Sequence, residues 1–300
     1  MSAGDASARV VATHGRHAVV LTEDGRRVLC HFRGRRGDAV VGDLVLWQGT
    51  GDEGVIESVL PRRNLLFRQD RWRTKSFAAN LDALLVLVAA EPPFSESQLA
   101  RALIAAGSAG IPTWIGLNKA DLPSIEASRE RLQPYAAMGV EVVEFALKAR
   151  PDEARAVLAP RLQGRVTLVL GPSGMGKSTL VNLMAPHAQA AVGEISRALN
   201  TGRHTTTSTA WYPMGPTPAD GALIDSPGFQ EFGLHHVAAA DLSRLMPDLS
   251  PHAENCRFAN CSHRTEPGCA VRLAVERGEI AASRLRLHTE FYEELTAPRH

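Results

Sequence analysis

The segment GPSGMGKS, Gly171 to Ser178, stands between an apolar run, RVTLVL, and an apolar-periodic stretch, STLVNLMA. A strand, a glycine-rich turn and a helix in that order make a phosphate loop. Glycines at 171, 174 and 176, with Pro172, Ser173 and Met175 between them, let backbone N–H groups converge on phosphate oxygens. The helix start, continuing through Thr179, adds positive dipole. Lys177 is placed to reach the β and γ phosphates, and Ser178 to ligate Mg²⁺.

A phosphate loop does not choose a base. Toward the N-terminus, NKAD (Asn118, Lys119 and Asp121) follows the strand-like TWIGL. The Asp121 carboxylate can accept from guanine N1–H and the 2-amino group. Adenine lacks both donors, so the pair of motifs predicts GTP and GDP over ATP. Toward the C-terminus, DSPG follows GALI: Asp225 suits Mg²⁺ held through water, and the Gly228 N–H suits a γ-phosphate sensor. The polar stretch LNTGRHTTTST lies between, with one of Thr205, Thr206 or Thr207 offering a hydroxyl to Mg²⁺, Thr206 being favoured. In most small GTPases the phosphate loop precedes the Asn-Lys-x-Asp box. Here the box comes about fifty residues earlier, so the domain reads as circularly permuted, which a packed interior tolerates when the chain is reopened at a surface loop.

Further outward the pattern changes at both ends. From Val10 to about Arg62, five short β-rich runs (ARVVA, AVVLT, RRVLCHF, DLVLW and GVIESVL) separated by Gly and Asp turns predict a small five-stranded barrel. Arg33, Arg35, Arg36, Arg62 and Arg63 in or beside its loops make it a candidate RNA surface, or simply a solvated face. From about residue 68 to 233, strands alternate with helical stretches, which predicts a parallel sheet covered by helices. After Leu234 the period is helical, ending in SRLRLHTEFYEELTA as one amphipathic helix. A knot of Cys256, Cys261, His263 and Cys269 interrupts it. Three thiolates and one imidazole suit one closed, tetrahedral, structural Zn²⁺. His235, His236 and His252 fall outside the knot and read as surface or packing residues; Arg257, Arg264 and Arg272 flank it.

Totals bound the partners. Lys plus Arg number 33 and Asp plus Glu 32, so any nucleic-acid contact must come from local patches. The longest apolar run, Leu81 to Ala90, carries Asp82 and is half the length of a membrane span. MSAGDASARV lacks a basic start and an apolar core, so a cytoplasmic protein is expected.

The order NKAD, GPSGMGKS, GRHTTT, DSPG, then C-x4-C-x-H-x5-C resembles the RsgA (YjeQ) family of ribosome-small-subunit-dependent GTPases, as do CRFANCSHRTEPGCAVR from Cys256, AANLD from Ala78 and VGDLV from Val41. The resemblance implies a multidomain α/β chain: an N-terminal OB-type β-barrel over 1–65, a circularly permuted P-loop GTPase domain over 66–233 and a C-terminal helical zinc-binding domain over 234–300. It also implies a monomer acting with the small ribosomal subunit and its rRNA in late maturation, with hydrolysis stimulated by docking. Two departures matter. The Ser-Ala box that contacts guanine is degenerate and is expected at Lys148, Ala149 and Arg150. Phe229 stands where many GTPases carry the water-orienting glutamine, so His204 is the candidate to position water and Arg203 a local candidate finger. The competing readings are an RNA-binding assembly chaperone that only senses GTP, and a permuted ATPase or small-molecule kinase, which Asp121 opposes.

Overall fold

The computed structural model describes residues 6–33, 38–185, 209–226 and 232–298. Five strands open the chain: β1 (Ala6–His14), β2 (His17–Thr22), β3 (Arg27–Phe32), β4 (Leu44–Thr50) and β5 (Glu53–Val59). They pair in the order β1-β2-β3-β5-β4, and β4 returns to β1, which closes a barrel. Alternate side chains turn inward, as a two-residue period requires: Val10, Val20, Cys30, Val45, Trp47 and Ile56 fill the interior. Gly54 is confined to its type, since a Cβ there would stand 2.8 Å from Cys30 Sγ. Burial pushes the Cys30 thiol up to about 12, so it behaves as a core residue and not as a nucleophile.

The segments VGDLV and AANLD form the joint beneath the barrel. Asp43 is fully buried, accepts the Val40 N–H at 2.8 Å, and pairs with Arg62 through two bonds of 2.8 Å. A Cβ at Gly42, whose φ is +95°, would collide with the Ala79 carbonyl. Asn80 donates to Gly42 O and accepts from the Arg63 N–H. Arg63 also reaches Asn80 O and Asp82. Arg62 therefore neutralises the buried Asp43, which a buried carboxylate requires, while Arg63 braces the joint with its side chain largely exposed. Arg33 pairs with Glu57. Arg35 and Arg36 lie outside the described residues.

Next come a hairpin, β6 (Leu65–Gln69) and β7 (Thr74–Ala79), and a sheet of β8 (Ala83–Ala89), β9 (Thr113–Asn118), β10 (Val142–Glu144), β11 (Val166–Leu170), β12 (Ala210–Pro213) and β13 (Ala222–Asp225). The sheet order is β10-β9-β8-β11-β13-β12, parallel except at β12. β12 also meets β1 at Ala210 and Ala12, joining barrel and sheet. The helices are α1 (Glu96–Ser108), α2 (Ile125–Ala137), α3 (Pro151–Leu162) and α4 (Lys177–Met184). With both faces covered, β8 is apolar throughout: Leu84, Val86 and Val88 enter one core, Leu85, Leu87 and Ala89 the other.

The C-terminal part adds a 3-10 helix (Ala239–Leu245), α5 (Ser250–Ala253), α6 (Ala270–Glu276) and α7 (Ala282–Thr296), packed into the core that holds Leu84. Arg101 of α1 ties this part down. Its guanidinium lies 4.3 Å from the Phe291 ring, pairs with Glu290 and Glu294, and reaches Phe232 O. Among the described residues no helix is long and apolar enough to cross a membrane.

Candidate nucleotide site and metal centre

The carboxyl ends of β9, β11 and β13 carry the three sequence motifs, and an open parallel sheet binds ligands outside those ends. Gly171 leaves β11 so close to β8 that a Cβ would strike Leu87 O. Gly174 and Gly176 have φ of +83° and +106°, and a Cβ on Gly176 would strike the Asn118 amide. Only glycine satisfies both demands. Lys177, opening α4, donates to Gly171 O at 2.6 Å and Pro172 O at 2.9 Å, so the ammonium spans its own loop. Ser173 and Ser178 are exposed, Thr179 is half-buried and Met175 is buried.

Asn118 joins the motifs. It is buried; its Nδ2 donates to Met175 O at 2.8 Å and its Oδ1 accepts the Leu147 N–H at 3.1 Å. One side chain thus clamps the phosphate loop to the turn that follows β10. Lys119, with φ of +59°, donates to Glu91 O at 2.6 Å. Asp121 is exposed at the head of the turn into α2. Lys148 and Ala149 follow the clamped Leu147 into solvent, whereas the Arg150 N–H bonds Ala146 O. The turn that Asn118 grips therefore starts one residue before the box expected from sequence. Leu147 escaped that reading because its contribution is a backbone N–H, which no side-chain type encodes.

Asp225 ends β13. Its Oδ1 is buried without a hydrogen-bond partner, and burial pushes its carboxyl up to about 6, against the pull of Lys177. Burial likewise lowers the Lys177 pKa. A buried anionic oxygen lacking a donor fits a hydrated Mg²⁺, and a glycine loop spanned by an ammonium fits a polyphosphate. Arg203, His204, Thr205, Thr206, Thr207, Gly228 and Phe229 lie outside the described residues.

At the other end of the molecule, one ligand atom from each of Cys256, Cys261, His263 and Cys269 falls within 4.8 Å of all the others. Cys256 Sγ and Cys269 Sγ are 4.0 Å apart. Thiolates around a tetrahedral Zn²⁺ stand about 3.8 Å apart, so the donor set fits. Burial pushes the Cys261 thiol up to about 12, and a cation among the sulfurs reverses that preference. His235 and His252 approach Glu294 and Glu279, and His236 packs on Phe67, so none joins the cluster. Arg264 pairs with Glu293, and Arg257 lies over Phe258.

The most exposed large apolar side chain among the described residues was missed by sequence reasoning. Trp72, at the tip of the β6-β7 hairpin, is 83% exposed, between exposed Arg71 and Arg73. That hairpin is tied near its tip to the segment after DSPG: Gln69, the last residue of β6, exchanges backbone bonds with Gly233 and His235, and Phe77 of β7 stacks on Phe232 at 5.5 Å.

Residues 59–235 match the model of the RsgA GTPase family. A Variovorax paradoxus protein named small ribosomal subunit biogenesis GTPase RsgA is 54% identical over 296 residues, covering 97% of this chain and 93% of that one. A protein of the same name from Paraburkholderia phytofirmans is 52% identical over 291 residues, covering 95% and 92%. Among solved structures, YloQ, described as a circularly permuted GTPase, superposes with a TM-score of 0.71 at 25% identity, covering 99% of this chain and 98% of that one. YjeQ from Thermotoga maritima gives 0.72 at 28% identity, covering 99% and 100%. These similarities bear out the barrel, the permuted α/β domain and the order of motifs.

Proposed function

The chain belongs to the RsgA GTPase family, and from that premise we propose that it hydrolyses GTP to GDP and phosphate in the biogenesis of the small ribosomal subunit. The Asn118 clamp carries this reading: it brings the base-reading box and the phosphate loop together although the chain visits them in reversed order. In the proposed site the backbone from Gly171 to Gly176 and Lys177 hold the phosphates, while Ser178, Asp225 and Thr206 or Thr205 hold Mg²⁺. Asp121 reads guanine, and the turn at Lys148 and Ala149 offers backbone donors to its oxygen. His204 positions water and Gly228 senses the γ-phosphate. With Phe229 in the glutamine position, turnover depends on a partner that orders the switch.

The partner in this proposal is the small subunit, met through rRNA. Exposed Trp72 between two arginines supports the RNA part, since an aromatic face stacks on any unpaired base and the cations neutralise phosphates. The barrel over 1–65 and the zinc-binding domain over 234–300 flank the GTPase domain over 66–233, with one structural Zn²⁺ held by Cys256, Cys261, His263 and Cys269. The protein works as a cytoplasmic monomer. Phosphate release from GTP, measured with and without purified small subunits, tests the proposal. Strong stimulation is expected; equal rates would leave a GTP-sensing RNA chaperone.

A further inference from the structure

The His263 ring faces two ways. Its Nδ1 lies 3.5 Å from Cys256 Sγ and 3.4 Å from Cys269 Sγ, inside the ligand cluster. Its Nε2 points out of the cluster to Ser243 Oγ at 2.9 Å. Ser243 Oγ lies in turn 3.0 Å from His288 Nε2. All three side chains are buried, and they come from three places: the Cys-His knot, the 3-10 helix Ala239–Leu245 and α7.

Proton counting orders this chain. A ligating imidazole nitrogen carries no proton, so with Nδ1 turned to the metal the single ring proton of His263 sits on Nε2. Nε2–H then donates to Ser243. The serine hydroxyl is then free to pass its own proton to its remaining neighbour in this chain, His288 Nε2. In that direction His288 carries its ring proton on Nδ1. Nδ1 is buried without a hydrogen-bond partner among the described residues, so Ser243 is the group that sets the tautomer of this ring.

We infer that Ser243 and His288 are positioning residues of the metal centre: a one-directional relay, His263 Nε2–H to Ser243 Oγ–H to His288 Nε2, that holds His263 as an Nδ1 ligand. The inference rests on the zinc reading above. The relay fixes the rotation of the His263 ring: with Nε2 held on Ser243, Nδ1 stays turned toward Cys256 and Cys269. It also makes the contact between α7 and the 3-10 helix part of metal retention, although neither element supplies a ligand.

The full chain, purified with its zinc, allows a direct test. Wild-type protein is first assayed for metal content; then long-range proton–nitrogen NMR correlations report the histidine tautomers. The relay requires His263 protonated on Nε2 and His288 protonated on Nδ1; the reverse tautomer at either ring overturns it. Transfer of zinc to a chromophoric chelator, and the visible bands of the Co²⁺-substituted protein, are then compared across variants. Ser243→Ala and His288→Phe are expected to lose metal about 10–100-fold faster and to shift the Co²⁺ bands. His288→Gln, whose amide oxygen accepts from Ser243, is expected to restore both. Wild-type loss rates in the first two variants overturn the relay alone; a wild-type chain without zinc overturns the zinc reading with it.

Discussion

The nucleotide site and the metal centre solve one problem, holding a charged group in place, by opposite means. The nucleotide site takes Asn118, Leu147, Lys177 and Asp225 from four separated stretches of chain and mounts them on the ends of a sheet buried on both faces. Its contacts are largely backbone, and the sheet supplies the rigidity. The metal centre takes its four ligands from fourteen consecutive residues, Cys256 to Cys269, joined by turns, with α6 starting directly after the last of them. Its contacts are side-chain contacts, and in the proposed zinc-bound form the cation supplies the stability. A site on a preformed scaffold survives loss of its ligand; a site that the ligand itself gathers does not.

That contrast is sharpest under metal removal. Structural zinc contributes on the order of 10 kcal/mol to the fold of a small knot. Chelation is therefore expected to abolish hydrogen-exchange protection from Cys256 to Glu276 while GTP affinity stays near wild type. Loss of nucleotide binding in step with the metal would show that the two sites share one scaffold.

Asn118→Ala reverses the experiment. It strips partners from the buried Met175 carbonyl and the Leu147 N–H, which costs about 2–4 kcal/mol. A loss of about 100-fold or more in GTP affinity is expected, with the zinc content unchanged. Retained affinity, measured by calorimetry, would mean that the phosphate loop holds its shape without the clamp.

Asp225 separates what the site costs the nucleotide-free protein from what it does in binding. Its folded pKa of about 6 stands above the usual 3.8 because of burial. Relative to an unperturbed carboxyl, its contribution favours folding below about pH 4 and is lost as pH rises through 6, so the ionised group destabilises the nucleotide-free protein at neutral pH. Asp225→Asn is expected to stabilise that form by about 3 kcal/mol near pH 8 and by about half as much near pH 5. Denaturation midpoints without nucleotide would show it, and a pH-independent difference would contradict the burial account. The same variant should bind Mg²⁺–GTP more weakly.

Trp72→Ala should be the mildest change. Its side chain is largely solvated, so stability should move by less than about 0.5 kcal/mol. Removal of a stacking face costs about 1–3 kcal/mol per base, so small-subunit affinity should fall roughly tenfold. Unchanged affinity in a sedimentation assay would move the RNA contact elsewhere.

How much of this could be read in advance follows from the same contrast. The knot was legible because its four ligands are side chains at short spacing, and the phosphate loop because glycine is obligatory where φ is positive and a strand lies alongside. The five-strand barrel was legible because apolar residues alternate between turns. The roles of Arg62 and Arg63 among the barrel arginines were not. They look alike in sequence, yet Arg62 neutralises the buried Asp43 and Arg63 braces Asn80 and Asp82. Whether a guanidinium faces solvent or a buried carboxylate depends on a partner nineteen residues away in the chain.

What the chain order determined by itself is chemistry that is local: which residues can surround a phosphate, read guanine or bind zinc, and in which permuted order they come. Tertiary structure alone decided the rest. It chose Leu147 as the partner of Asn118, joined the Trp72 hairpin to Gly233, and set Ser243 and His288 behind His263. The reason is physical. Backbone groups carry no sequence label, and a polar side chain is paired only by what the fold brings within about 3 Å of it.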